Sequence, residues 1–309
     1  MNLVWLRLSV FAALAAGAGR AEVLLVGTAD YAGGIYSTNA VTGGTLSPFA
    51  SLWAPMVARL PNGDVLAGGG SSIVRLDSSG NTLGTFANVS NVFGIAVASD
   101  GTVYVSYYNA SDNAQIAKFS STGTSLGTII PGSSGTNSFE GLALAANGNI
   151  VVSNFYSVLT YNSFGQLLGS TNTSGGSFNV TVGPDGNVYY TTSSSLFGNN
   201  AGNAGNIYKC TGCATGSGTS SLFASDPAAG DLHDLVFDGN GNLFVASRSG
   251  NDVLDFNAST GAYEGVFASG SYVGPITLAL DSATTPAPEP STWTLFAGAL
   301  LTLPFLRRR

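Results

Sequence analysis

Five stretches share one phrase: VARLPNGDVLA at 57–67, IAVASDGTVYV at 95–105, LALAANGNIVV at 142–152, VTVGPDGNVYY at 180–190 and LVFDGNGNLFV at 235–245. Each is a short apolar alternation, an Asn-Gly or Asp-Gly pair and a second β-rich run. Alternation with period 2 on both sides of such a pair is the strongest short-range sign of a β-hairpin. The glycines of these turns, Gly63, Gly101, Gly148, Gly186 and Gly241, recur at intervals of 38, 47, 38 and 55 residues.

A second phrase follows the first: IVRLDSSG at 73–80, IAKFSSTG at 116–123, VLTYNSFG at 158–165 and VLDFNASTG at 253–261. Most copies lead into Leu-Gly-Thr or a similar strand. The two phrases together supply four antiparallel strands per repeat, the composition of a propeller blade. The ends complete the count. Val23–Val26 with Ile35–Gly44 reads as later strands without a first one, and Ile276–Asp281 reads as a first strand alone. The expected fold is therefore all-β, a six-bladed β-propeller over residues 22–285 closed by pairing of the N- and C-terminal strands, which leaves no open sheet edge. A β-helix fits less well, because its coils are shorter and do not alternate two hairpins. The repeats resemble those of NHL and related six-bladed propellers across nearly all of this region.

Composition agrees. Glycine is abundant, at 42 residues, but no Gly-X-Y period appears, so collagen is excluded. Charged residues make up 9%, yet apolar residues reach 44%, too many for a disordered chain. Between residues 22 and 285 five basic residues (Arg59, Arg75, Lys118, Lys209 and Arg248) face 16 acidic ones, a balance of −11. That field repels a phosphate backbone and makes nucleic acid a poor partner. It also disfavours an acidic polysaccharide unless a divalent cation bridges.

The termini read as addresses. Met1–Arg7 carries one positive charge and Leu8–Ala18 is apolar and small, followed by small-residue cleavage candidates, so 1–21 reads as a secretory signal peptide with a helical apolar core. Residues 286–309 contain Pro288-Glu289-Pro290, the apolar stretch Trp293–Leu306 and Arg307-Arg308-Arg309. This three-part tail resembles the PEP-CTERM sorting signal of Gram-negative bacteria, which implies recognition by an exosortase-type membrane peptidase. Trp293–Leu306 spans about 21 Å as a helix, short against a hydrocarbon core of about 30 Å. Pro304 weakens it further, and the three arginines resist translocation. A temporary membrane anchor is expected, on a protein exported to the cell envelope, cell surface or extracellular matrix. Matrix polysaccharide or an envelope protein is the expected partner there.

Chemistry is sparse. No phosphate loop, zinc-protease helix or Gly-x-Ser-x-Gly elbow occurs. Cys210 and Cys213 have redox-motif spacing, but in an exported chain without a second cysteine pair they read as a small disulfide that pins a local loop. Propeller ligands bind where the innermost strands line the channel. The residues entering those strands are Pro55-Met56, Phe93-Gly94, Glu140-Gly141, Phe178-Asn179, His233-Asp234 and a position within Pro275–Thr277. Glu140, Asn179 and Asp234 offer two carboxylates and an amide oxygen, a set that suits calcium or another divalent cation. Gluconolactonase-type propellers resemble this in holding a divalent ion with Glu, Asn and Asp, although their flanking motifs are absent here. His233, the one histidine, is expected at the channel rim, with Asp231 or Asp234 as its only candidate partner for acid–base work. No cofactor is required by the sequence. A binding or structural role is the leading expectation, and a metal-dependent, lactonase-like hydrolase is the alternative.

Overall fold

The computed structural model describes residues 22–28, 33–111, 113–132, 139–173, 175–192, 205–225, 231–271 and 274–281. The expected signal peptide and sorting tail, with their helices, lie outside these. The described residues form 24 strands and no helix. The first described strands are β1 (Val23–Thr28), β2 (Ile35–Asn39) and β3 (Gly43–Ala50). A first four-stranded unit follows: β4 (Met56–Arg59), β5 (Val65–Gly69), β6 (Ser72–Leu76) and β7 (Thr82–Ala87). The second is β8 (Val92–Val97), β9 (Val103–Tyr108), β10 (Ala114–Phe119) and β11 (Ser125–Ile130). The third is β12 (Phe139–Leu144), β13 (Ile150–Asn154), β14 (Ser157–Tyr161) and β15 (Leu167–Asn172). The fourth is β16 (Ser177–Val182), β17 (Val188–Thr192), β18 (Asn206–Thr211) and β19 (Thr219–Ser225). The fifth is β20 (Leu232–Phe237), β21 (Asn242–Ser247), β22 (Asp252–Asn257) and β23 (Tyr263–Ser269), and β24 (Pro275–Leu280) ends the series.

Within each unit consecutive strands pair antiparallel. The chain ends share a sixth unit in the order β3-β2-β1-β24, in which Leu24 opposes Leu280 and Val26 opposes Leu278. A two-residue parallel contact, Ala268 with Gly44 and Ser269 with Thr45, links the outer strands of the fifth and sixth units into one eight-stranded sheet. The first strands of successive units lie side by side, and β24 lies beside β4, so the cycle of neighbours closes. The four Asn-Gly and Asp-Gly turns at Gly63, Gly101, Gly148 and Gly186 place only the glycine in the left-handed region, with φ between 75° and 88°. They are four-residue turns with a glycine bulge, not the primed two-residue type, which would need a positive φ at Asn or Asp as well.

The core is divided among the seams between units. Each of six apolar clusters draws mainly on two successive units. Strand parity does the sorting, because adjacent side chains point to opposite sheet faces. Tyr190 packs toward Val151 and Val158 of the third unit, whereas Tyr189 packs toward Leu235 and Phe256 of the fifth. Both faces of every sheet are thereby buried, which explains strands as continuously apolar as Val-Tyr-Val at 103–105.

A second, repeated contact closes the seams at the perimeter. The glycine ending the turn between third and fourth strands sits against an outer-strand carbonyl of the preceding unit. The pairs are Gly80 on Phe49, Gly123 on Phe86, Gly165 on Ile129, Gly261 on Phe223 and Gly43 on Phe267. A Cβ on any of these glycines would overlap that oxygen, and all five have φ between 62° and 89°. The fourth unit differs. Cys210 and Cys213 are joined in a disulfide at its third strand, and the knuckle they form docks on the third unit. There Asn149 Nδ2 donates to the Ala214 carbonyl at 3.0 Å, Gly218 N donates to Thr171 Oγ1 at 2.8 Å, and Thr160 Oγ1 donates to the Cys213 carbonyl. Gly169 on β15 leaves the space for it.

Gly123→Ala and Gly127→Ala separate close approach from backbone strain. Both glycines have positive φ, but Gly127 has no neighbour where a Cβ would stand. Left-handed strain alone costs about 1–2 kcal/mol. Thermal unfolding should show Gly123→Ala losing clearly more stability than Gly127→Ala. Equal losses would mean that the perimeter contact does not hold the seam.

Candidate functional site

Along the axis of the ring runs a cavity of about 330 Å3, bounded by β4, β8, β12, β16, β20 and β24. Most of its wall is Val, Leu, Ile and Ala side chains and strand backbone. The residues that open it at equivalent positions of the six units are Met56, Gly94, Gly141, Asn179, Asp234 and Thr277, of which all but Gly141 are lining residues. In the pairs Pro55-Met56, Phe93-Gly94, Phe178-Asn179 and His233-Asp234 it is thus the second residue that lines the axis. A register shift within β8, β12, β16 and β20 turns the first residue away.

This offset decides the fate of the expected site. Asn179 and Asp234 line the cavity, and Glu140 does not. Glu140 occupies the bulge position, equivalent to Phe178 and His233, and is buried at 6% exposure. His233 is correspondingly not an exposed rim residue. It is 1% exposed, lies 5.4 Å from the Phe178 ring centroid and has its Nε2 3.3 Å from Asp231 Oδ2. Of its two expected partners it meets Asp231, while Asp234 faces the axis.

The polar groups at the axis are occupied by backbone. Asp234 Oδ1 accepts from Leu235 N at 2.8 Å, and Oδ2 accepts from Leu278 N of the sixth unit at 2.7 Å. Thr277 Oγ1 donates to the Pro55 carbonyl at 2.5 Å and accepts from Val57 N at 3.1 Å, joining the sixth unit to the first. Asn179 Oδ1 accepts from Val180 N at 3.0 Å, and its side chain fills the space above Gly141. Burial drives the Asp234 carboxyl up to about 7, against the two N–H groups that favour its ionised form.

Behind the axis, a small residue at one place in each second strand continues the pattern: Gly27, Gly68, Ser106, Ser153, Thr191 and Ala246. The three hydroxyls donate to the bulge carbonyl of the next unit. Ser106 reaches the Glu140 carbonyl at 3.3 Å, Ser153 the Phe178 carbonyl at 2.8 Å, and Thr191 the His233 carbonyl. Ser153 Oγ also accepts from Gly141 N at 2.7 Å. Hence five of the six seams carry a side-chain bond onto the neighbouring first strand, by Ser106, Ser153, Thr191, Asp234 and Thr277. The first-to-second seam is apolar, with Gly68 against Val92 and Ile95. Sequence reasoning missed this set, although alignment of the second strands would have shown its small-residue column.

Calcium takes six to eight oxygens at about 2.3–2.6 Å. The axis offers the Asn179 amide and the Asp234 carboxylate, both already bonded to N–H groups, and no second carboxylate among the lining residues. Among the described residues no group of three His, Cys, Asp or Glu side chains could hold a metal ion. The residues present do not fit a preformed calcium site.

No protein-family model matches the chain, and no curated protein does. Solved structures do. A Bacteroides caccae protein of unknown function superposes with a TM-score of 0.63 and 16% identity, covering 85% of this chain and 100% of its own. Streptogramin B lyase superposes with a TM-score of 0.53 and 17% identity, covering 72% and 70%. At these identities the likeness shows the fold: an all-β, β-propeller architecture.

The buried acids set a pH dependence. Asp255 is also raised, to about 6, by burial and then by the charges of Glu264 and Asp238. Both acids bind protons more tightly folded than unfolded, where the value is near 3.8. Their stabilising contribution is full below about pH 4 and is lost as pH rises through 6 and 7. The melting temperature should therefore fall between pH 5 and pH 8. Asp234→Asn should flatten the upper part of that fall, and an unchanged slope in the variant would contradict the assignment.

Proposed function

We propose that this chain is an exported six-bladed β-propeller with a binding or structural role at the cell surface or in the extracellular matrix, delivered there by its C-terminal signal. Residues 22–285 are the working domain, with the six four-stranded units as its blades. Residues 1–21 direct export. Residues 286–309 hold the protein in the membrane until an exosortase-type peptidase acts at Pro288-Glu289-Pro290. Matrix polysaccharide or an envelope protein is the partner.

The observation that carries the non-catalytic part is the commitment of the axial oxygens. Asp234 and Thr277 bond to backbone across seams, and Asn179 Oδ1 accepts from the next N–H of its own strand, Val180, so all three are engaged within the ring. An axial hydrolase needs a nucleophile or a metal-bound water aimed into open space. The metal-dependent, lactonase-like alternative requires Glu140 to join Asn179 and Asp234 on one ion, and Glu140 is not at the axis. The delivery part is supported by the order of the tail, Pro-Glu-Pro, short apolar stretch, arginines.

Two outcomes follow. Millimolar calcium should leave the melting temperature unchanged, since a ligand of the native state would raise it; a saturable rise would favour the metal-dependent alternative. In a host with the sorting machinery, Glu289→Ala should leave export intact and block processing, so that full-length protein accumulates in the membrane. Wild-type processing of the variant would reduce the tail to a plain anchor.

A further inference from the structure

A second cavity, of about 340 Å3, lies between the fourth and fifth units at the end of the sheets that carries the Asn-Gly and Asp-Gly turns. It shares no lining residue with the axial cavity. Its walls combine an aromatic ring with a polar rim: partly exposed Phe237 inside, backed by Tyr189, which is 2% exposed, and Asp185, Lys209, Asn242 and Ser259 around them. The rings are braced, with Phe237 and Phe223 edge-on to Tyr189 at 4.9 and 5.0 Å. Gly239 and Gly241, both in the left-handed region, turn the fifth unit's loop without a side chain over the opening.

The rim is rigid and electrically balanced. Lys209 Nζ stands 2.7 Å from Asp185 Oδ2 and 5.6 Å from the Tyr189 centroid. Tyr189 Oη and Asn187 Nδ2 donate to the same carboxylate at 3.0 and 2.8 Å. Burial opposes the charge, but the bonds from Lys209, Asn187 and Tyr189 outweigh it and hold the Asp185 carboxyl well below the usual carboxylate range. Asp185 and Lys209 both remain partly exposed, at 37% and 30% of their side chains. They present an acceptor and a donor side by side, spaced like the adjacent hydroxyls of a pyranose.

We propose that this pocket binds a neutral saccharide unit, with a C–H face of the sugar against the partly exposed Phe237 ring and vicinal hydroxyls bridging Asp185 and Lys209. The inference rests on the binding role proposed above and names its site. Three observations select the ligand class. An anionic sugar would meet a domain, residues 22–285, with 16 acids against five bases, and the pocket's one cation is already neutralised. A purely apolar ligand would strip water from the Asp185–Lys209 pair without replacing its hydrogen bonds. A partly exposed aromatic ring with mixed donors and acceptors suits an amphipathic, uncharged ring. The second unit has Asp100, Tyr104 and Lys118 at the matching positions, with Lys118 Nζ 5.5 Å from the ring centroid, but there the carboxylate has neither the ion pair nor the tyrosine bond of Asp185, so it provides an internal control.

The test is calorimetric titration of the full chain with β-1,4-glucan, α-1,4-glucan and β-1,4-mannan hexaoses, and with polygalacturonate as the anionic competitor. At least one neutral hexaose should bind wild type. Lys209→Met and Asp185→Asn should each weaken it at least tenfold, and Lys118→Met should leave it unchanged. Retained melting temperatures identify the variants as folded. Equal binding by wild type and Lys209→Met would overturn this site while leaving a binding role elsewhere intact. No neutral hexaose bound, or stronger binding of polygalacturonate, would overturn the ligand class, and neither result bears on delivery, which Glu289→Ala reads separately.

Discussion

Each sheet of this protein is apolar on both faces, and that single constraint dictates the rest. A two-faced sheet cannot end a stack, because its outer face would be left in water. An open solenoid meets the difficulty with capping repeats. Here the chain instead brings its last strand back to its first, Val26 against Leu278, and every face finds a neighbour. Parity then fixes the packing, so that neighbouring residues such as Tyr189 and Tyr190 serve different seams.

Burying two faces creates a polar problem at both radii. Near the axis, strands start at bulges whose carbonyls and N–H groups do not all pair within a sheet. Hydroxyls from the preceding unit, and the carboxylate of Asp234, take them up. At the perimeter, glycine turns come close enough to touch a neighbouring carbonyl. The disulfide knuckle at Cys210–Cys213 substitutes for that device at one seam and is anchored through Thr160, Thr171 and Asn149. A small disulfide loop contributes little chain entropy. Its worth here lies in holding a shape that fits the third unit. The polar residues that look like a site from the sequence are therefore mostly the joinery of the ring, and a partly exposed polar rim lies elsewhere, between Asp185 and Asn242.

Much of the fold was legible because hairpins are local. Alternation around Asn-Gly and Asp-Gly marked the first two strands of five units, and the complementary ends, Val23–Val26 and Ile276–Asp281, foretold their pairing. The candidate site was less legible because it depends on single-residue register. A bulge between Phe139 and Leu142 is invisible in the string FEGLAL, yet it moves Glu140 off the axis while Asn179 and Asp234 stay on it. The same shift buries His233. The pocket at the fourth-to-fifth seam was illegible for another reason: strand pairing within the fourth unit brings Lys209 to Asp185, and only the packing of the next unit adds Asn242.

Native-state hydrogen exchange tests the central claim, a closed ring of interdependent sheets, most directly. The slowest amides of the second strands β1, β5, β9, β13, β17 and β21 should share one opening free energy equal to that of global unfolding, because removing any sheet exposes two apolar faces at once. A graded series, with the β1–β24 unit opening well below the others, would contradict closure and describe an open stack whose ends merely touch.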